Sequence, residues 1–234
     1  MKLSDPIPPT RSDAPLLAKV LQTSIVDKDR DKVAPKSEEE SASQLTFLTT
    51  MFERDLTHPH RRYWIIRDLD TGDVASFISW TPPVTEEEEE RVRDERARTL
   101  PPVHRRQSSG GGDYMDELMP KIAEMRKEIL GAPRRLNWYC GNLATDPKYQ
   151  RLGAASKLIR CPFEEADREG IACYLDTDLN GPAIKMYERN GFVRVGEGVS
   201  VSLENYGGQG IHTHVGLIRE PTPVSTSSRM ENTV

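Results

Sequence analysis

Several common roles are excluded by what this chain has little of. It holds only three cysteines (Cys140, Cys161 and Cys173). That odd number without metal-ligand spacing fits neither a disulfide scaffold nor a zinc module, and it reads as reduced, mostly buried thiols. Aromatic residues make up 6% of the 234 positions and hydrophobic residues 36%, against 29% charged. One core can be filled at that ratio, but some segments must stay exposed. No apolar run is long enough to span a bilayer, and the first residues lack the apolar centre of a signal peptide. Basic charge is not in excess either: the net charge is -5, which argues against general binding to nucleic acid or anionic membrane. Internal repeats are absent. The expectation is a cytoplasmic protein, nuclear location not excluded, with one domain over 1–220 and a disordered polar tail over 221–234.

What is present is concentrated between Leu136 and Phe192. The run Leu136 to Ala144 is β-like and reaches a turn at Asp146-Pro147. Leu152, Ala155, Leu158, Ile159, Phe163 and Ala166 then recur at helical spacing, up to a stop at Gly170. Pro162 falls inside this pattern and should kink or shorten the helix. Ile171 to Thr177 reads as a second strand, parallel to the first because a helix joins them. Asn180 to Phe192 follows, with Pro182 suited to a first helical position and Gly191 to the residue past the end. The turn before the first helix offers unpartnered amides at the positive end of a helix dipole, with a short residue at 153 and donors at Gln150 and Arg151. That arrangement suits a phosphate or pyrophosphate. It is neither a dinucleotide fingerprint nor a Walker loop, since the further glycines and the Gly-Lys-Ser/Thr are missing.

Two motifs in this stretch carry a resemblance. Gln150-x-x-Gly153-x-Ala155 resembles the acyl-CoA pyrophosphate motif of the GNAT superfamily of N-acetyltransferases. Asn180-x-x-Ala183-x-x-x-Tyr187, followed by Asn190-Gly191-Phe192, resembles that family's second signature. The match covers about a quarter of the chain, and it is most similar to fungal-type members with a long insertion before the core. The resemblance implies an α/β fold: a mixed, twisted sheet, mostly antiparallel, whose central parallel pair is splayed for acyl-CoA, with helices on both faces. It implies acetyl-CoA as co-substrate, with no metal. Leu143 and Thr145 would offer backbone groups to the pantetheine arm. Gln150, Arg151, Leu152, Gly153, Ala154 and Ala155 would hold the pyrophosphate, largely through backbone amides. Asn180 would contact the pantetheine, Ala183 would leave room for it, and Tyr187 would give a proton to the leaving thiolate.

The implied activity is transfer of an acetyl group to a primary amine, in a small molecule or a peptide, by a monomer or homodimer. One departure from the family concerns the base: no carboxylate stands on Trp138 to Asn142, where many relatives keep one. Asp176, Asp178, an ordered water or one of His212 and His214 are the alternatives. A CoA-binding sensor that has lost turnover is the rival reading, and a nucleotide-binding domain using the same turn is a third. A thiol nucleophile is disfavoured because Cys140 and Cys173 have no neighbouring histidine in sequence.

The remainder sets the scaffold. Residues 1 to 12 hold at most a short strand. Ser12-Asp13 can cap a helix through Ile25 or Val26, and a second helix is expected from about Glu38 to Leu56. Tyr63 to Asp68 and Val74 to Trp80 alternate as a hairpin around Asp70 to Asp73. Thr81 to Arg135 reads as an insertion. Its Glu86 to Arg98 part is a charged, solvated helix, His104 to Gly112 a loop, and Asp113 to Leu130 a helical pattern interrupted by Pro120. By the resemblance, such an insertion lies over the acceptor entrance. Phe192 to Leu203 and Ile211 to Arg219 form a closing antiparallel pair. His58 and His60, like His212 and His214, share strand-type spacing, but too few ligands accompany them for a metal.

Overall fold

The structure, a computed structural model, describes residues 2–24, 37–85, scattered positions between 87 and 98, 114–131, 135–206 and 208–223. The expected end of the first helix at Ile25 or Val26, the loop at His104 to Gly112, most of the charged Glu86 to Arg98 segment and nearly all of the tail lie outside the described residues.

Among the described residues six strands form one sheet in the order β1-β2-β3-β4-β6-β5. They are β1 (Arg62–Arg67), β2 (Val74–Thr81), β3 (Asn137–Thr145), β4 (Ala172–Asp178), β5 (Val193–Ser202) and β6 (Ile211–Arg219). Every neighbouring pair is antiparallel except β3 and β4, which run parallel. This is the expected mixed sheet with a central parallel pair. The N-terminal segment adds only isolated bridges, Leu3 to Asp68 and Ile7 to Ile65.

Alternation along the strands sends side chains to two cores. Helices α1 (Ala14–Ser24) and α2 (Glu38–Asp55) cover one face, where Leu17, Phe52, Tyr63, Phe77 and Ala144 pack together. The chain enters α1 through a single 3₁₀ turn, Arg11–Asp13. Asp13 is a buried carboxylate that accepts from the Thr10 amide and pairs with Arg67. The long helix α3 (Tyr114–Leu130) lies on the same side of the sheet, over β5 and β6, with Leu118, Ile122 and Met125 on Val201. Pro120 was expected to interrupt this helix and does not. It deletes one backbone bond, but the apolar stripe on either side of it stays packed, and that burial outweighs the loss.

The opposite face carries α4 (Ala154–Ile159), α5 (Phe163–Glu169) and α6 (Ile184–Arg189). Trp80, Trp138, Leu158, Leu175 and Phe192 form the core beneath them. α4 and α5 replace the one helix that the periodicity suggests, with Arg160 to Pro162 as the break. Pro162 becomes the residue before the first turn of α5, where a missing N–H has no consequence. Gly170 ends α5 in the left-handed region at φ 68°, as its position predicts. α6 begins at Ile184 rather than at Pro182, and Ala183 is its N-cap.

Phe52 is fully buried, edge-on to Tyr63 at 6.1 Å and to Phe77 at 5.3 Å. It therefore ties α2 to two strands. Phe52→Ala should destabilise the fold by about 3–5 kcal/mol, read as a lower denaturant midpoint at unchanged m-value. A loss below about 1 kcal/mol would mean that this face is not a packed core.

Candidate active site

The site begins where β3 leaves β4. Their parallel ladder holds only Asn137 to Ala172, Trp138 to Cys173 and Tyr139 to Tyr174. Beyond that rung β3 continues to Thr145 on β2, while β4 continues to Asp178 on β6. A bulge coincides with the parting. On β2, Ser79 faces Asn142 and Trp80 faces Cys140, which leaves Gly141 as the extra residue of β3. A bulge bends its strand and increases the local twist. A Cβ on Gly141 would stand 3.1 Å from Ser79 Oγ, and the same hydroxyl accepts from the Asn142 amide at 3.0 Å. Glycine thus lets the hydroxyl close over the bulge.

Backbone direction in the gap follows from the hydrogen bonds on the other edge. The Asn142 amide, the Ala144 carbonyl and the Asp146 amide all face β2, bonded to Ser79 Oγ, Ser76 Oγ and the Ala75 carbonyl. Successive residues alternate, so Leu143 and Thr145 turn their N–H and C=O toward the gap. Among the described residues no strand pairs with β3 there.

The chain then turns through a 3₁₀ segment, Pro147–Tyr149. Buried Tyr149 donates to Asp68 at 3.1 Å or Asp73 at 3.2 Å, pinning the loop to the β1–β2 hairpin. Gln150, Arg151, Leu152 and Gly153 are exposed, Ala154 is buried and Ala155 half-buried. Arg151 at φ 66° and Gly153 at φ 82° both adopt the left-handed region. A Cβ on Gly153 would meet nothing within 4 Å, so glycine is needed for its φ, and the space before the N-terminus of α4 is open. Strain at a non-glycine residue such as Arg151 costs on the order of 1 kcal/mol and is commonest at ligand sites.

Across the gap, the Asn180 amide donates a turn bond to Asp178 Oδ1 at 3.0 Å, and Asn180 itself is exposed. Ala183 accepts the Tyr187 amide at 3.0 Å, so the two share one face of α6. Tyr187 is buried, edge-on to Phe192 at 6.0 Å. Burial holds its hydroxyl protonated far above the ordinary range, and Cys140 and Asp176 push the same way. Cys140 is itself raised by burial, then by Asp176 and Cys173. The proposed acid and the end of the parallel ladder are therefore electrostatic neighbours.

The opposite face holds a polar group whose assembly the sequence did not reveal. Arg126 of α3 lies 3.9 Å over the Tyr139 ring and donates to Tyr139 Oη at 2.7 Å and to Asp176 Oδ2 at 3.0 Å. His214 Nε2 lies 3.1 Å from Asp176 Oδ1. Burial alone would raise the Asp176 carboxyl, but His214 and Arg126 outweigh it and hold the group below its ordinary 3.8. His212 Nδ1 is 3.7 Å from Asp178 Oδ2, with the Tyr114 ring 6.0 Å away. Helical periodicity placed Arg126 on a helix but gave no sign of what it meets. Among the described residues no group of three or more His, Cys, Asp or Glu is placed to hold a metal. No described helix is long and apolar enough to cross a membrane.

Known proteins fit this geometry. The acetyltransferase (GNAT) domain profile matches residues 121–194, from within α3 to the start of β5. The chain has the GNAT fold. A histone acetyltransferase HPA2 and related acetyltransferase structure from Corynebacterium glutamicum superposes with a TM-score of 0.56 at 17% identity, covering 96% of this chain and 99% of that one. Arabidopsis thaliana NAA60, in complex with a bisubstrate analogue, gives 0.53 at 14% identity, covering 95% and 100%. The ribosomal-protein-S18-alanine N-acetyltransferase of Escherichia coli gives 0.52 at 13% identity, covering 97% and 98%. No curated protein sequence matches the chain.

The low value of Asp176 has a consequence for stability. A carboxyl depressed in the folded state contributes stability above its unfolded value, and that contribution is lost as pH falls through the folded value. Wild type should therefore be more stable than Asp176→Asn at neutral pH. The difference should shrink below the ordinary 3.8, as the wild-type carboxyl takes its proton. Denaturant unfolding of both proteins from neutral to acid pH checks this. A difference that does not change with pH would show that charge at Asp176 is not the stabilising feature.

Proposed function

We propose that this GNAT-fold protein transfers an acetyl group from acetyl-CoA to a primary amine, by direct attack of the amine on the thioester. The observation that carries the reading is the gap between β3 and β4, lined by the outward-facing backbone of Leu143 and Thr145 and leading to the N-terminus of α4. A pantetheine arm is a chain of amides. Laid beside β3, it would take the ladder bonds that β4 gives up. Its pyrophosphate would then reach the turn Gln150 to Ala155, where free amides and the helix dipole favour negative charge and Arg151 adds a full positive one. Open space at Gly153 lets the phosphates approach the backbone. Asn180 would meet the pantetheine, and Ala183 would leave it room. The shared fold with N-acetyltransferases such as the alanine-modifying Escherichia coli enzyme supports an amine acceptor, in a peptide or a small molecule.

In the reaction the amine lone pair forms a bond to the carbonyl carbon. The tetrahedral intermediate collapses, the C–S bond breaks, and its electron pair stays on sulfur. Tyr187 then supplies the proton. Its raised value keeps it protonated at neutral pH. The thiolate would form in the same buried surroundings that raise Cys140, so it too would be a stronger base there than in water.

Calorimetric titration with acetyl-CoA tests the cofactor site. Wild type should bind, and Gly153→Trp, which fills the open space and strains φ 82°, should not, while its thermal unfolding remains cooperative. Tyr187→Phe should keep the affinity and lower kcat by about 10²- to 10⁴-fold. Binding without CoA release for any amine would favour a sensor, and no binding by wild type would overturn the whole reading.

A further inference from the structure

Acetyl transfer needs a group to take the acceptor's proton, and β3 has no carboxylate to do it. The group formed by Asp176, His214 and Arg126 lies at the gap, on the sheet face away from Tyr187. Cys173 and Leu175 of β4 pack under α4 to α6, so alternation turns Tyr174, Asp176 and Asp178 to the α3 side. Asp178 stands opposite His214 in the ladder with β6, and opposite residues share a face. Asp176 lies two residues beyond Tyr174, the last residue of β4 paired with β3. It also acts electrostatically on both Tyr187 and Cys140. A thioester held in the gap would thus have Tyr187 on one side and the Asp176–His214 pair on the other.

The imidazole is set up asymmetrically. Nε2 faces Asp176 Oδ1 at 3.1 Å, whereas Nδ1 is buried with no hydrogen-bond partner. A carboxylate on Nε2 favours the tautomer with its proton there, leaving the lone pair on Nδ1. Buried polar atoms are rarely left unpaired, and exceptions point to a ligand, a water or a catalytic task. We propose that His214 is the general base of the transfer, oriented by Asp176, and that the acceptor's proton passes to its Nδ1 directly or through one ordered water. The proposal rests on the acetyltransferase reading above.

The step balances. The amine lone pair forms the N–C bond, an N–H bond of the amine breaks with its electron pair remaining on nitrogen, and the proton goes to Nδ1 while Nε2 keeps its own proton, donated to Asp176. Tyr187 gives a proton to sulfur. After one turnover the imidazole holds one proton more and Tyr187 one fewer, and exchange with water restores both.

The groups around His214 fit this use. From β4 come Asp176, Asp178 and Tyr174; from α3, Arg126 and Tyr114; from β3, Tyr139; and from β6 itself, His212 at 5.7 Å between ring centroids. β5 places uncharged Val199 opposite. Arg126 shares the Asp176 carboxylate, bonding Oδ2 while the imidazole faces Oδ1.

The test is CoA release from acetyl-CoA with three amines: a peptide α-amine, a lysine side-chain amine and spermidine. Rates would be followed from acid to alkaline pH for wild type, His214→Gln, Asp176→Asn and His214→Ala with and without added imidazole. His214→Gln should bind acetyl-CoA normally, lose about 10²- to 10⁴-fold in kcat, and lack the acid limb of kcat/KM that wild type shows. Imidazole should restore part of the rate to His214→Ala, and Asp176→Asn should lower kcat more than it changes KM. A His214→Gln protein within a few-fold of wild type overturns the assignment. So does one that is slower but keeps the acid limb, or a His214→Ala protein that imidazole does not rescue. Wild type that binds acetyl-CoA yet releases no CoA with any amine would instead remove the transferase reading, and the base with it.

Discussion

The early parting of β3 from β4 is the constraint on which the chemistry of this fold depends. A fully paired sheet would have no backbone to offer a ligand at its centre. Here three rungs are made and the next ones withheld. Gly141 enables this, because the bulge bends β3 while Ser79 Oγ satisfies the amide that the bulge displaces. The bent strand stays anchored, since β2 continues to hold its other edge as far as Thr145. Hydrogen-bonding capacity is thus concentrated in the gap without leaving a loose strand.

The same parting connects the two faces of the sheet. Tyr187 sits in the core under α4 to α6, and Asp176 belongs to the face covered by α1 to α3, yet they influence one another. Away from such a gap, a close-packed sheet would separate groups on its two faces. Burying Asp176 with Arg126 is costly in desolvation, and ion pairs of this kind stabilise little on balance. Their value lies in fixing direction: the carboxylate holds Arg126 with one oxygen and His214 with the other. α3 is therefore more than a cover, because it supplies the cation that lets the carboxylate remain charged.

Most of the scaffold was legible in the sequence, for local reasons. β1, β2, β5 and β6 alternate, Asp70 to Asp73 is turn-forming, and Gly170 marks the end of a helix. The parallel pair followed from the helix that joins its strands. The misplacements come from tertiary packing and local sterics. Pro120 stays inside α3 because the stripe around it is buried on β5, and α6 starts at Ile184 rather than at Pro182, whereas Pro162 shortens its helix as its position predicts. The turn at Gly153 and the short helix that carries Tyr187 were legible because their spacing is local. The Asp176–His214–Arg126 group was not, because its members come from three elements that are separated by 50 and 38 positions in sequence. Only the order β4-β6-β5, with α3 laid across it, brings them together.

The central claim is that the gap is a strand-like seat for the pantetheine arm. Amide hydrogen exchange measured with and without acetyl-CoA tests it most directly. Slowed exchange at Leu143 and Thr145, with Asn142 and Ala144 unchanged, is the alternation expected if a ligand chain adds to the free edge of β3. Binding that leaves Leu143 and Thr145 exchanging as before would contradict the account, because the ligand would then lie elsewhere on the fold.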